Sequence, residues 1–208
     1  LSSGVLALSG GEDSSKLVCI ALAASGNKEW SLQMPDNETI ETVATTKRLV
    51  AVTTNIHMLR LFTVMGTQRE VLGLPGPVVA MAGSESEEQL IVVYHSAPPG
   101  VQQQHLAAIL VQGSYGLGLR TQQITLPLPP GRQLSWVGFS DAGSPVFADS
   151  MGLVQIFSSR GNCWYVVCDT LQQRQSISNN YFVISVSERQ QILQAVLCRG
   201  CSYPMTNP

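Results

Sequence analysis

The sequence predicts an all-β protein, on two observations. Short apolar runs rich in Val, Ile, Leu and Phe recur along all 208 residues, separated by Gly, Pro, Asn, Asp or Ser. No stretch of ten residues holds a sustained three-to-four apolar period, which is what a packed helix requires. The runs fall at residues 4–8, 16–23 and 29–32, then 39–45, 49–53, 58–63 and 70–74. They continue at 78–83, 89–95, 106–111 and 119–126, at 134–139, 145–149, 153–157 and 164–168, and end at 181–186 and 192–197. Most are five to eight residues long with tight connections, the length and punctuation of strands.

An internal repeat narrows this to a β-propeller. Leu59-Arg60-Leu61-Phe62-Thr63-Val64-Met65-Gly66 matches Val154-Gln155-Ile156-Phe157-Ser158-Ser159-Arg160-Gly161, and the two Phe residues stand 95 positions apart. Two blades of roughly 40–50 residues give that spacing. In this reading each Phe fills the wedge between adjacent blades, and each Gly supplies the positive φ of the following hairpin. Grouping strands in fours agrees: residues 39–74, 78–126 and 134–168 form three blades, residues 4–32 close an earlier one and 181–197 open a later one. About four blades are covered, so residues 1–208 read as one partial propeller domain. An open arc leaves unpaired sheet edges, so further blades are expected from outside these residues.

Composition excludes several classes. Charged residues make up only 12% and hydrophobic residues 44%, against about 25% charged in an ordinary domain, which suits a packed core and not a disordered tail. Net charge is −2 and the longest basic run is Lys47-Arg48, so this segment lacks the clustered positive face that direct nucleic-acid binding needs. No run of 18 apolar residues occurs, so no membrane-spanning helix is expected. The chain opens on Leu1 without a positive leader segment, and is expected to be part of something longer. Five cysteines in no scaffold pattern point to reduced thiols in an intracellular compartment.

Candidate chemistry is sparse. Cys198-Arg199-Gly200-Cys201 has C-x-x-C spacing, but a zinc site needs a second ligand pair and a redox motif needs a following helix; two thiols at a strand end is the simpler reading. His57, His95 and His105 lack a nucleophile elbow, and His57 and His95 read as turn residues or as satisfied partners of backbone groups. Ser140-Asp141-Ala142-Gly143 suits a plain hairpin turn. Gly113-Ser114-Tyr115-Gly116-Leu117-Gly118 opens no helix, so it is a flexible hairpin and not a phosphate cradle. The acidic stretches 36–41 and 84–88 read as solvated turns, with a partner-facing acidic rim as the sharper alternative. Trp30, Trp136 and Trp164 lie on strands, where core packing is the default. Residues 97–104 and 171–180 read as polar surface loops, and Pro127-Leu128-Pro129-Pro130-Gly131 as a stiff connector. Catalytic, cofactor and metal residues are therefore expected to be none, and interface residues cannot be named from sequence.

Several strings resemble a known family: Leu59 to Leu72, Gly76 to Gly83, Leu90 to His95, Leu134 to Ser140 with Gly143, Asp149-Ser150 and Gly152-Leu153-Val154, together with Lys28-Glu29-Trp30 and the stretch from Cys198 to Pro204. They are similar to the central SepB-type domain of the WD-repeat and HMG-box DNA-binding protein family (acidic nucleoplasmic DNA-binding protein and chromosome transmission fidelity replisome adaptors). The two loops at 97–104 and 171–180 depart from that family's wording, which suggests a divergent member. The resemblance implies a WD40-like propeller of six blades that forms a homotrimer in the nucleus. It further implies a non-enzymatic scaffold without cofactors, linking the GINS complex of the replicative helicase to DNA polymerase α in DNA replication and sister-chromatid cohesion. That linkage would run through a helical bundle lying, like the HMG box, outside residues 1–208. The competing readings are a propeller interaction module of a vesicle coat or nuclear-pore assembly, and a propeller enzyme, for which no convergent acidic or His set is visible.

Overall fold

A computed structural model of the chain describes residues 4–10, 13–22, 28–85, 87–100, 103–114 and 118–204. The described elements are β-strands and a single turn of 3-10 helix. They form two compact units, one of Leu1–Pro98 with His105–Leu126 and one of Pro99–Gln104 with Pro127–Pro208.

The first unit holds three antiparallel sheets. β1 (Val5–Gly10), β2 (Asp13–Ala21) and β3 (Lys28–Gln33) form a three-stranded sheet. β4 (Ile40–Thr45), β5 (Leu49–Thr54), β6 (Met58–Thr63) and β7 (Gln68–Gly73) form a four-stranded meander. β8 (Val78–Gly83), β9 (Gln89–His95), β10 (Leu106–Ser114) and β11 (Gly118–Thr125) form another. In the second unit β12 (Leu134–Phe139), β13 (Pro145–Asp149), β14 (Leu153–Ser158) and β15 (Cys163–Asp169) make a third four-stranded sheet, beside the pair β16 (Asn179–Ser187) and β17 (Ile192–Arg199). These sheets match the strand groups read from sequence and resemble propeller blades. The repeat also lands as expected, since Phe62 and Phe157 both lie on the third strand of a four-stranded blade.

Each four-stranded blade keeps its second strand buried along most or all of its length: β5 and β13 are buried throughout, and β9 is buried from Leu90 to Tyr94. A strand covered on both faces reads as a continuous apolar run without alternation, as in Leu90-Ile91-Val92-Val93-Tyr94. β5 shows why. Val50 and Val52 point into a core with Val5, Leu17, Cys19 and Phe62, while Ala51 points the other way, into a core with Leu59, Leu61, Leu90 and Val92. One strand thus cements two neighbouring blades. In the second unit Val146, Ala148 and Val154 pack against Val183 and Val186 in the same way.

The first strand of every four-stranded blade carries a β-bulge in the same place. Ile40 pairs with Thr54 and Thr42 with Thr53, leaving Glu41 extra. Val78 and Ala80 flank the extra Val79, and Leu134 and Trp136 flank the extra Ser135. A bulge bends its strand and raises the local twist, so the repetition gives each blade the same kink at its entry.

Phe62 does fill the wedge between two blades: it is fully buried, and its ring centroid lies 6.1 Å from that of Trp30 on β3. Gly66 does supply the positive φ, at 91°. The second copy differs. There the left-handed residue is Asn162 (φ 49°), because the turn is one residue longer in its reach, and Gly161 instead donates its N–H to the Ser158 hydroxyl at 3.2 Å. Phe157 meets Trp164 on the neighbouring strand of its own blade, at 5.2 Å.

Two expected surface features are corrected. The stretch 171–180 is not plain loop, since Thr170–Gln173 form a helical turn capped by the Asp169 carboxylate, which accepts from Leu171 N at 3.0 Å. The acidic stretch 36–41 is not uniformly solvated. Glu38 is only 6% exposed, drawn inward by an ion pair with Arg60. In the glycine-rich hairpin Ser114 pairs with Gly118; Tyr115, Gly116 and Leu117 lie outside the described residues, as do Ala23 of the second predicted strand and Ser86 of the second acidic stretch.

Candidate interaction surface

The structure disperses the titratable residues singled out from sequence. His57 adopts φ 58° in the β5–β6 turn, where its N–H donates to Thr54 O at 2.9 Å. His95 departs from expectation: its Nδ1 is buried without a hydrogen-bond partner among the described residues. Cys198 is buried at the end of β17, and burial, with the neighbouring Cys201 thiol, pushes its own thiol up in pKa. Among the described residues no three His, Cys, Asp or Glu are placed to hold a metal ion, and no helix is long and apolar enough to cross a membrane. Glu88, from the second acidic stretch, meets Arg48 at 3.5 Å in a cleft of about 480 Å³ between the second and third sheets, so that cleft carries both signs of charge.

The turn Ser140-Asp141-Ala142-Gly143 has a larger role than a hairpin closure. Gly143 (φ 82°) returns its N–H to Ser140 O at 3.0 Å, the expected turn. Asp141 then reaches the β16–β17 turn, accepting from Ser187 Oγ at 2.6 Å and Glu188 N at 2.8 Å. The Ser187 hydroxyl and the Glu188 and Arg189 backbone N–H groups hold the Asp141 carboxyl below the usual carboxylate range. Ser140 Oγ donates to the Glu188 carboxylate.

The feature best suited to contact another macromolecule is apolar and lies on the outer strand of the fourth sheet. Tyr165, Val166 and Val167 are 53%, 59% and 49% exposed. The joint exposure of Val166 and Val167 breaks the in–out alternation of a strand, and a register shift explains it. Gln155 pairs with Val166 and Val154 with Cys168, so Val167 is the extra residue of a bulge. Val167 also lines a groove of about 510 Å³ with Ile156, Val186, Ile192 and Leu193, where Glu188 stands as the acidic group. Burial and then the charge of Asp169 push the Cys168 thiol up, so this wall stays uncharged at neutral pH. Ile184, Ile192 and Leu197 on the adjacent pair are also largely exposed. An apolar cluster rimmed by polar groups is how interaction surfaces present themselves. The alternation rule hid this one from sequence, because it assigns Val166 to the inner face.

Comparison with known proteins identifies the setting. A family model described as the middle region of minichromosome loss protein, Mcl1, matches residues 1–208. The chain belongs to that family. Human WD repeat and HMG-box DNA-binding protein 1 is 37% identical over 203 residues, covering 95% of this chain and 17% of the relative. Minichromosome loss protein 1 of Schizosaccharomyces pombe is 27% identical over 189 residues, covering 86% of this chain and 23% of the relative. The chain thus spans less than a quarter of the length of these Mcl1-family relatives. The crystal structure of HIRA(644-1017) superposes with a TM-score of 0.53 at 17% identity, over 80% of this chain and 52% of that one, which shows a shared fold. The Mcl1 middle region is therefore all-β, with four-stranded antiparallel sheets resembling propeller blades.

Proposed function

We propose that this chain is the scaffold segment of a nuclear replisome adaptor, acting without catalysis. It completes a six-bladed propeller with residues outside 1–208 and self-associates as a homotrimer. The assembled protein links the GINS complex of the replicative helicase to DNA polymerase α, in DNA replication and sister-chromatid cohesion, through a helical bundle beyond this segment. Three linked copies raise the effective concentration of weak sites without any new contact. The observation that carries this reading is the match of the whole chain to the Mcl1 middle region. The names of the relatives, one DNA-binding and one concerned with minichromosome loss, support a chromosomal setting. A net charge of −2 supports a reading in which this segment makes no direct DNA contact.

The strip at Tyr165, Val166 and Val167 supports self-association on electrostatic grounds. β15 carries no charged residue from Cys163 to Cys168, so copies meeting there bring no like charges together. The test is the solution mass of the full-length protein by light scattering after gel filtration, for wild type and Val166→Glu. A trimer mass that survives dilution supports the reading, and its loss in the variant locates the contact on β15. A wild-type monomer overturns the trimeric mechanism.

A further inference from the structure

Beyond that reading, the second unit contains a small polar cavity at the end of its four-stranded sheet, about 220 Å³ in volume. Ser135, Ser150, Ser202, Tyr181 and Tyr203 line it with hydroxyls, and Asp149 and Arg174 are its charged groups. The two differ in their state of satisfaction. Asp149 is saturated: Oδ1 accepts from Met151 N and Leu153 N, both at 2.9 Å, and Oδ2 accepts from Arg132 Nη1 at 2.7 Å. Arg174 donates from Nη2 to Asn180 Oδ1 at 2.7 Å, while its Nε is buried with no hydrogen-bond partner among the described residues. Asn180 is itself held by its Nδ2 donating to Cys201 O at 2.8 Å, which fixes the acceptor that orients the guanidinium.

Arg174 also lacks the ion pair that three other arginines make. Arg48, Arg60 and Arg132 each face a carboxylate within 4.0 Å, and Arg174 faces none among the described residues. A guanidinium carries five N–H donors in a fork that matches planar or tetrahedral oxyanions. Leaving such donors unpaired inside a protein is costly, and an orphan of this kind calls for an unseen partner. The cavity is below the ~300 Å³ at which drug-sized ligand pockets begin, so its occupant is a single group and not a cofactor.

We propose that the Arg174 cavity binds one oxyanionic group, a carboxylate or phosphoryl carried on a partner peptide. The remaining guanidinium N–H groups would supply charge-assisted hydrogen bonds, with the Ser202 and Tyr203 hydroxyls as further donors. Because the site joins the helical turn at 170–173 to the exit of β17, an occupant would tie those two segments together.

The test is hydrogen–deuterium exchange on the full-length protein at fixed ionic strength, with chloride replaced in turn by inorganic phosphate and by acetate. Slowed exchange across residues 170–181 and 198–204 in phosphate alone assigns the site to phosphoryl groups. Slowing in both anions assigns it to carboxylates as well. Arg174→Gln should abolish the effect and Arg174→Lys weaken it, with β12–β14 exchange unchanged as the control for folding. Protection by neither anion overturns the proposal, as does protection that persists in a folded Arg174→Gln. Should that variant fail to fold, the wild-type response to phosphate against chloride still decides.

Discussion

Arg60 grips Glu38 with two parallel hydrogen bonds, Nε to Oε2 at 2.8 Å and Nη2 to Oε1 at 2.5 Å. Both side chains are largely withdrawn from water, at 14% and 7% exposure. Removing one partner strands a buried charge, so Glu38→Gln should cost about 3 kcal/mol, read from native-state exchange of β5 and β6 amides. The hydrogen bond from Arg60, ahead of its charge, holds the Glu38 carboxyl below the ordinary carboxylate range. A carboxyl lowered on folding contributes stability that is complete above the unfolded value near ~4.3. That contribution is lost as pH falls through the lower folded value, and Glu38→Gln should flatten this acid limb.

Gly83 on β8 sets how closely two blades approach. A Cβ there would collide with the Thr45 carbonyl on β4, a backbone atom that cannot rotate aside. Gly83→Ala should therefore destabilise by about 1–3 kcal/mol through overpacking. Gly73 at the end of β7 is the control, since a Cβ there meets nothing within 4 Å. Urea midpoints should fall for Gly83→Ala and stay level or rise slightly for Gly73→Ala.

Gly66 and Gly161 occupy matching places in the repeat, yet they should respond differently. Gly66 has φ 91°, and a Cβ would sit 3.0 Å from the Trp30 indole, whose Nε1 donates to Val64 O at 2.9 Å. Gly66→Ala meets both backbone strain and a fixed ring, and should lose about 1–2 kcal/mol. At Gly161 the nearest atoms are the Tyr165 hydroxyl and the Cys163 sulfur, both ends of side chains that can turn away. Gly161→Ala should be milder in the same denaturation series.

Asp141 bridges two turns from an exposed position, and its effect is best read locally. Asp141→Asn should weaken the acceptor seen by Glu188 N, shifting that amide resonance and speeding its exchange at neutral pH. In the wild type the same change should appear only as pH drops through the lowered Asp141 value. A Glu188 amide unaffected by either perturbation would show that the bridge is not held in solution.

Strand grouping was legible because the doubly covered second strands are written as unbroken apolar runs, such as Leu90 to Tyr94, with Gly or Asn at the turns between them. Glu38 escapes a local reading because its partner lies 22 residues away on β6, and local acidity resembles any solvated turn. The bulges at Glu41, Val79, Ser135 and Val167 were invisible, since an extra residue leaves no mark in composition. The Arg174 cavity draws on segments from Gln133 to Tyr203, which no motif search brings together.

The bulge at Val167 also limits what can add to the outer edge of the fourth sheet. A regular outer strand offers an evenly spaced row of main-chain donors and acceptors, onto which any extended peptide can zip. At Val167 that spacing is broken on β15, where Tyr165, Val166 and Val167 are all exposed. The broken spacing therefore discourages strand-by-strand addition at this edge. A flat apolar edge of the same composition would invite indiscriminate fibre growth, and the break at Val167 removes that invitation.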